Sequence, residues 1–401
     1  MNLSHVSTVI PVYNGANYIC DAIDSALTQT YPNFEVIVVN DGSTDNTEEL
    51  CLSYGDSIKY FKKENGGVSS ALNMGIREMQ GDYFTWLAHD DVYYPHKLEA
   101  QIQALSKFKD KETIIHGNYD LVSANSNEIS HMRQEDSYST EQLSNSVFPI
   151  LNTCAHASTY LIHKSHFERV GMFNENLPLS QDYDFLFRAM RGQQSVFVSE
   201  PLLLSRLHSQ SGKNTDNRFA SACGLQYEHF ANSLTYDEVQ DMFASPKAFY
   251  VRTAAMMQAR GYYSGASNML KKINTLPYEE PKEKLATFLQ KCANDNLENI
   301  YIFGAGYYGK VLKFELKIRN IHTFAFIDNN AAKHNTYIEG IPCFSPASIV
   351  ENKDNSLIII AADVSDSIER QLHSLSFPNV ITKKKLDSII LDSPPEMELL
   401  L

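Results

Sequence analysis

Three short acidic runs stand in the first half of the 401-residue chain: Asn40-Asp41-Gly42-Ser43-Thr44-Asp45, Leu87-Ala88-His89-Asp90-Asp91 and Ser180-Gln181-Asp182-Tyr183-Asp184. In the first, a carboxylate can accept from a pyrimidine ring N–H or a ribose hydroxyl, and Gly42 lets the chain turn sharply. The same residues equally suit a helix cap, and one loop can do both. In the second, adjacent carboxylates followed by Val92-Tyr93-Tyr94-Pro95 suit a divalent cation that keeps part of its water and bridges two phosphates. The alternative is a pair of acids capping a helix from Pro95 to Phe108. In the third, Asp182 falls at the start of a helix, whose positive end keeps a carboxylate ionised and able to act as a base. A capping aspartate is the alternative there. Farther on, Arg206-Leu207-His208-Ser209-Gln210-Ser211-Gly212-Lys213 carries donors that fit a diphosphate, or an ordinary solvated loop.

Such groups work only when a scaffold gathers them, and an alternating α/β rhythm supplies one. Short runs rich in Val, Ile, Phe and Tyr predict strands at Val6 to Val12, Phe34 to Asn40, Ile58 to Phe61, Tyr83 to Ala88 and Thr113 to Tyr119. Between them, Tyr18 to Thr28, Thr44 to Tyr54 and Val68 to Met79 space their apolar residues along one helix face. Ser43-Thr44-Asp45 before Glu48 and Glu49 places a helix start just after the second strand. In a parallel sheet, ligand-binding groups collect beyond the carboxyl ends of the strands, where the acidic runs fall. Residues 123 to 148 are polar and read as an excursion or flap, followed by a strand near Ser158 to His163, a helix near Tyr183 to Arg191 and a strand near Ser195 to Ser199.

Bulk properties narrow the function. A net charge of −14 argues against a general grip on nucleic acid, whose binding draws on clustered Lys and Arg. The six cysteines form no Cys-x-x-Cys pair, so neither a zinc site nor a disulfide framework is indicated, and reduced thiols in a cytoplasmic protein fit best. A strand-like run within a few residues of Met1 leaves no room for a signal peptide. No apolar stretch approaches the roughly twenty residues of a spanning helix, so any membrane contact is expected to be peripheral.

The order of the motifs carries more than any one of them. Ser7-Thr8-Val9-Ile10-Pro11-Val12-Tyr13-Asn14-Gly15, then Val38 to Asp45, then Asn65-Gly66-Gly67-Val68-Ser69-Ser70-Ala71-Leu72-Asn73-Met74-Gly75 closely resemble the large inverting glycosyltransferase family with the A-type fold. His89-Asp90-Asp91 with Pro95, Gln181-Asp182-Tyr183-Asp184 and His208-Ser209-Gln210-Ser211 extend that resemblance across roughly residues 4 to 215. It implies an A-type nucleotide-binding sheet in which Pro11, Tyr13, Asn14, Asp41, Gly66, Gly67, Asn73, His89, Asp90 and His208 contact a nucleotide sugar. Asp90 and Asp91 would manage Mg²⁺ or Mn²⁺ and the diphosphate, and Asp182 would be the base that activates the acceptor. His208 or Lys213 would assist the leaving diphosphate. Two departures matter: Ala88 stands where many members have an acid, leaving the metal ligands open, and Gln181 stands where many have Glu, leaving Asp182 itself in place. The implied reaction is a single inversion, from a nucleoside-diphosphate sugar, UDP for preference, to a glycan or lipid-linked hydroxyl in cell-surface polysaccharide synthesis, with peripheral membrane or biosynthetic-complex contact. The rival reading is an inactive nucleotide-sugar-binding or assembly subunit. A nucleotidyltransferase is disfavoured because Pro11-Val12-Tyr13-Asn14-Gly15 carries no cation for a triphosphate.

The rest of the chain divides into a helical connector at 220–296, a Rossmann-like domain at 297–390 and a tail at 391–401, after a transferase domain at 1–219. Within the connector, Tyr250 to Ile273 has the spacing of a helical hairpin, which needs neighbours to bury its face. At Asn299 the βαβ rhythm restarts: a strand from Ile300 to Phe303, then Gly304-Ala305-Gly306-Tyr307-Tyr308-Gly309 opening a helix, then a strand ending at Asp328. This part resembles small Rossmann-like domains beside sugar-modifying enzymes of bacterial polysaccharide pathways, and Gly304, Gly306, Gly309 and Asp328 are its candidate nucleotide-binding residues. A nucleotide binder, a second catalytic unit and a docking module compete, with binding or docking preferred because no Tyr-x-x-x-Lys dyad follows the glycines.

Overall fold

A computed structural model of the chain describes residues 4–123, 129–152, 154–177, 179–208, 219–243, 245–273, 282–318, 321–361, 365–383 and 385–386. Lys213, Ser209 to Ser211 and the tail at 391–401 lie outside the described residues. The chain forms two compact units, Met1–Phe219 and Ala220–Leu401.

The first unit is built on a five-stranded sheet in the order β3-β2-β1-β4-β8. β1 (Val6–Val12) has all seven residues buried, as a central parallel strand covered on both faces must. It pairs in parallel with β2 (Phe34–Asn40) and β4 (Tyr83–Trp86), β2 pairs with β3 (Lys59–Lys62), and β8 (Ile162–His163) closes the edge antiparallel. α1 (Ile19–Leu27) buries Ile19, Ala22, Ile23 and Ala26 at helical spacing. α2 (Thr47–Leu52) starts three residues later than the sequence suggested, because the Asp45 carboxylate accepts from the Thr47 N–H and from Ala16 instead of extending the helix. α3 (Val68–Glu78) packs so closely on β1 that a Cβ at Gly75 would lie 2.3 Å from Val9 Cγ1.

A second sheet, ordered β5-β9-β6-β7, joins β5 (Val92–Tyr93), β6 (Ile114–Ser123), β7 (Ile129–Met132) and β9 (Ser195–Leu207). Helix α4 (Lys97–Ser106) runs between β5 and β6. The polar stretch expected as a flap is integral to this sheet. β7 returns antiparallel on β6, and α5 (Thr140–Leu143) and α6 (Phe148–Leu151) bury Leu143, Val147 and Phe148. It is tied to β6 by a side chain as well: Gln134 N–H donates to Asn118 Oδ1. The expected strand near Ser158 shrinks to β8, because Ala157–Thr159 forms a 3-10 turn. α7 (Ser165–Val170) and α8 (Gln181–Met190) follow, and β9 runs on well past the expected Ser199.

Lys97 is fully buried, its Nζ donating at 2.8 Å to both Thr85 Oγ1 and Gln101 Oε1 and lying 4.3 Å from the centre of the Tyr93 ring. Burial pulls this amine far below the usual lysine value. With Tyr93 Oη bonded to the Trp86 carbonyl at 2.7 Å, these groups fix the end of β4 from which Asp90 and Asp91 emerge.

In the second unit, helices at Phe219–Ser233, Tyr236–Met242, Pro246–Ala259, Tyr263–Ile273 and Lys282–Asn294 precede a six-stranded sheet. Its order is β12-β13-β11-β10-β14-β15, from β10 (Asn299–Phe303), β11 (Ala325–Ile327), β12 (Thr336–Ile338), β13 (Ile341–Phe344), β14 (Ser356–Ile360) and β15 (Val380–Thr382). All neighbours are parallel except the β12–β13 hairpin, whose turn residues Glu339 and Gly340 both have positive φ. Alternation along β10 sends Ile300 and Ile302 to a core shared with Leu312 and Leu316, and Tyr301 and Phe303 to one shared with Ile368 and Leu372. The sheet is thus covered by a helix on each face. Arg260 lies between the rings of Tyr227 and Tyr307, at 5.2 and 4.9 Å, tying the helices before the sheet to the helix that follows β10. Among the described residues no helix is long and apolar enough to cross a membrane.

Candidate active site

Beyond the carboxyl ends of β1 and β2, two loops interlock. Asn14, at φ 50°, accepts the Thr44 N–H on its side-chain oxygen at 2.8 Å, and its own N–H donates to Ser43 Oγ at 2.9 Å. Asn14 therefore fixes the Asp41–Asp45 turn, while Pro11 is buried in β1 and Tyr13 beside it is 48% exposed, its ring presented at the loop surface. Asp41 is nearly fully buried: its carboxylate accepts from Gly66 N–H at 3.0 Å, Gly67 N–H at 2.7 Å and Lys63 Nζ at 2.7 Å. The carboxylate expected to accept from a nucleotide is thus turned onto the glycine loop and shapes it. Gly42 combines φ 79° with an approach that would leave its Cβ 2.8 Å from Asn65 N, so only glycine fits there.

Asn73, expected among the nucleotide-sugar contacts, is engaged within the protein. This residue is buried in the middle of α3; its Oδ1 accepts from Phe173 N–H at 3.0 Å, and its Nδ2 donates to Phe173 O at 2.9 Å and Glu175 Oε1 at 2.8 Å. Its amide holds a loop one hundred residues away and has no donor left for a nucleotide.

The second acidic run turns towards β9. Asp91 Oδ1 accepts from Arg206 N–H at 3.0 Å, and its Oδ2 lies 3.7 Å from His156 Nε2. Asp90 Oδ2 is paired with His208 Nε2 at 2.8 Å. Neither caps a helix: α4 begins after His96 with no side-chain cap, so the capping alternative fails. Arg206 reaches the Asp90 carbonyl at 3.3 Å and Asp21 Oδ2 at 2.6 Å, stacking over Tyr18 at 5.1 Å. His89 packs where a Cβ on Gly15 would sit, 2.5 Å from its ring, and burial lowers its pKa. Burial and the neighbouring Asp90 charge push the Asp91 carboxyl up to about 7. Burial opposes the charge on Asp90 as well, but His89 and the His208 bond outweigh it and hold that carboxyl below its usual value. Among the described residues no three His, Cys, Asp or Glu side chains form a ready-made metal cage. Two adjacent carboxylates, one of them raised by burial and its neighbour's charge, do fit a divalent ion completed by phosphate oxygens and water.

Asp182 sits in the first turn of α8, after Ser180 in the left-handed conformation at φ 59°. It lines a small, partly open recess with Phe84, Trp86, Tyr160, Phe173 and Phe185. Burial raises its pKa, against the opposing pull of backbone N–H groups at the helix start. Trp86 Nε1 and Tyr160 Oη, both recess residues, are buried without a hydrogen-bond partner among the described residues. β4 therefore serves both halves of the site: Trp86 at its end lines the recess of Asp182, and four residues on, Asp90 turns to His208. Sequence reasoning missed Asp21, Tyr18 and His156. Asp21 reads as a first-turn acid of α1, and His156 is separated from Asp91 by 65 positions, so no local pattern marks either.

In the second unit, Gly304 has φ 102°, a Cβ at Gly309 would lie 1.8 Å from Gly304 O, and Gly306 faces open space. Asp328, a candidate nucleotide-binding residue, faces the glycine turn. Its Oδ2 accepts from Ala305 N–H and Lys333 Nζ, each at 2.8 Å, and its Oδ1 from Asn330 N–H at 2.8 Å, so the carboxylate braces the glycine turn from within.

Comparison with known proteins agrees with the geometry of the first unit. Residues 7–171 match the family described as Glycosyl transferase family 2. An uncharacterized glycosyltransferase of Rickettsia typhi is 44% identical over 257 residues, covering 64% of this chain and 81% of the relative. The chain belongs to this glycosyltransferase family. An uncharacterized glycosyltransferase of Rickettsia conorii is 41% identical over 306 residues, covering 75% of this chain and 48% of the relative. The chain spans about half or less of the length of the first curated relatives it matches, at 48%, 40% and 44%. The structure of S. aureus TarS 1-349 in complex with UDP is similar with a TM-score of 0.47 and 14% identity, covering 80% of this chain and 84% of that one. Residues 296–385 match a second family, described as C2185-like, N-terminal.

Proposed function

We propose that the chain transfers a sugar from a nucleoside diphosphate, UDP for preference, to a hydroxyl of a glycan or lipid-linked acceptor, with inversion at the anomeric carbon. The observation that carries this reading is the division of labour around β4: paired carboxylates among Arg206 and His208 on one side, and one carboxylate of raised pKa in an aromatic recess on the other. The Asp182 carboxylate takes the proton of the acceptor hydroxyl as its oxygen forms a bond to the anomeric carbon and the bond to the diphosphate breaks. A raised pKa suits that task, since a stronger base accepts the proton with more driving force. Charge developing on the diphosphate is met by His208 and Arg206, which are already oriented by Asp90 and Asp21. Mg²⁺ or Mn²⁺, held by Asp90 and Asp91, would neutralise the two phosphates. Tyr13, exposed beside the Asp41 turn, offers a ring face to the base.

We assign residues 1–219 to this chemistry, 220–296 to a helical connector and 297–390 to a binding or docking module for the same biosynthetic machinery, acting on the cytoplasmic side of the membrane. The test is release of UDP or GDP from a panel of nucleotide sugars with Mn²⁺, comparing the native chain with Asp182→Asn and Asp91→Asn. Turnover of one donor that both substitutions abolish supports the reading. Metal-dependent nucleotide binding with no turnover of any donor, with acceptor glycans supplied, would favour a binding subunit instead.

A further inference from the structure

Asn73 and Phe173 are one hundred positions apart, yet the Asn73 amide bonds both the N–H and the carbonyl of Phe173, at 3.0 and 2.9 Å, and adds Glu175 Oε1 at 2.8 Å. A side chain that pairs with both backbone groups of one residue acts as a strand would, fixing that residue in place as well as in orientation. The helix bearing Asn73 is itself immobilised. It starts at the glycine loop gripped by Asp41, and Gly75 admits Val9 closer than any side chain would allow. At the other end, the Phe173 ring is buried 4.5 Å from Phe185, one turn beyond Asp182 in α8, and 5.9 Å from Trp86. Phe173, Phe185, Trp86 and Asp182 line the same recess.

We propose that Asn73 is a positioning residue for the base: by clamping Phe173 it holds the aromatic wall that shields and orients Asp182. The proposal rests on Asp182 being the base of the reaction. Asn73 touches no reacting atom, and its effect passes through Phe173. Without the clamp the loop at 171–177 loses its only side-chain tie to α3 among the described contacts, the wall opens, and more water reaches the half-buried carboxylate. Misplacement of a catalytic group by about 1 Å costs on the order of a hundredfold in rate.

The chain contains a single tryptophan, Trp86, so its fluorescence reports on this recess alone. The experiment compares the native chain with Asn73→Ala, Asn73→Asp and Phe173→Leu by acrylamide quenching of Trp86, by UDP–Mn²⁺ affinity, and by kcat, KM and the pH profile for the donor that is turned over. Quenching is expected to rise at least twofold, kcat to fall roughly tenfold to a hundredfold, and UDP affinity to stay within twofold. The acid limb is expected to move down towards that of an ordinary carboxylate as the recess hydrates; a clamp with only a structural role would leave that limb unmoved. Phe173→Leu keeps the backbone bonds and tests the wall if Asn73→Ala does not fold. Weakened UDP binding with unchanged Trp86 quenching would overturn the proposal in favour of a nucleotide contact, and unchanged quenching and kcat would overturn it outright. If Asp182→Asn stays active, the base assignment fails, and the quenching arm still decides whether Asn73 clamps the wall.

Discussion

Replacing Asp182 by Asn keeps shape and removes charge, and the structure sets what should follow. General-base removal typically costs about 10²–10⁴ in rate, which at 1.36 kcal/mol per tenfold is about 3–5 kcal/mol of transition-state stabilisation. Because burial raises the Asp182 pKa, the folded protein binds this proton more tightly than the unfolded chain does. Stability is therefore lost as pH rises from the ordinary aspartate value through the raised one, and Asn removes that cost at neutral pH. The expected result is a kcat lower by two to four orders of magnitude, UDP affinity unchanged, and a Tm equal to or above that of the native chain. The native kcat/KM should fall on the acid side at a pH above the usual carboxylate range. Steady-state kinetics by UDP release, calorimetric titration with UDP and thermal unfolding supply the three numbers. A kcat within threefold of native, or a Tm several degrees lower, would refute the reasoning, the first because Asp182 is not the base and the second because its charge is stabilised rather than penalised.

Asp41→Asn should loosen the glycine loop, losing about 2 kcal/mol of stability from charge-assisted bonds and weakening UDP binding; denaturant unfolding and titration with UDP check both. Chelation by EDTA should abolish donor turnover and Mn²⁺ restore it in the native chain but not in Asp91→Asn, measured at matched free metal. His116 is buried, its ring stacked on Tyr160 at 4.9 Å and bonded to Leu143 O at 2.8 Å, and burial pushes its pKa down to about 4. The unfolded chain protonates it first, so the stability present above pH ~6.5 should be lost as pH falls towards 4, by about 3 kcal/mol in all; His116→Phe should lack that part of the pH dependence in urea unfolding curves.

The alternating pattern of Val6 to Trp86 was legible in the sequence because parallel strands buried on both faces read as unbroken apolar runs, and the acidic runs follow them directly. Sequence also separated Asp182 from the Asp90–Asp91 pair by position. It could not decide which way a carboxylate faces. Asp41 and Asp328 stand where a ligand contact was expected, yet each is occupied by its own glycine loop, because a buried charge takes the nearest backbone N–H groups. Nor did it show that the polar stretch after Ser123 pairs as β7, since residues with no apolar period find their partners only once β6 is in place.

The order of the motifs thus carried the resemblance to the family, and the apolar runs the parallel sheet. Tertiary structure decided their work: it turned Asn73 from the nucleotide to Phe173, matched Asp91 with Arg206 across 115 positions, and placed Trp86 beside Asp182. Such contacts depend on how two distant loops meet over one sheet, and hydrogen bonds between them leave no periodic trace in either segment.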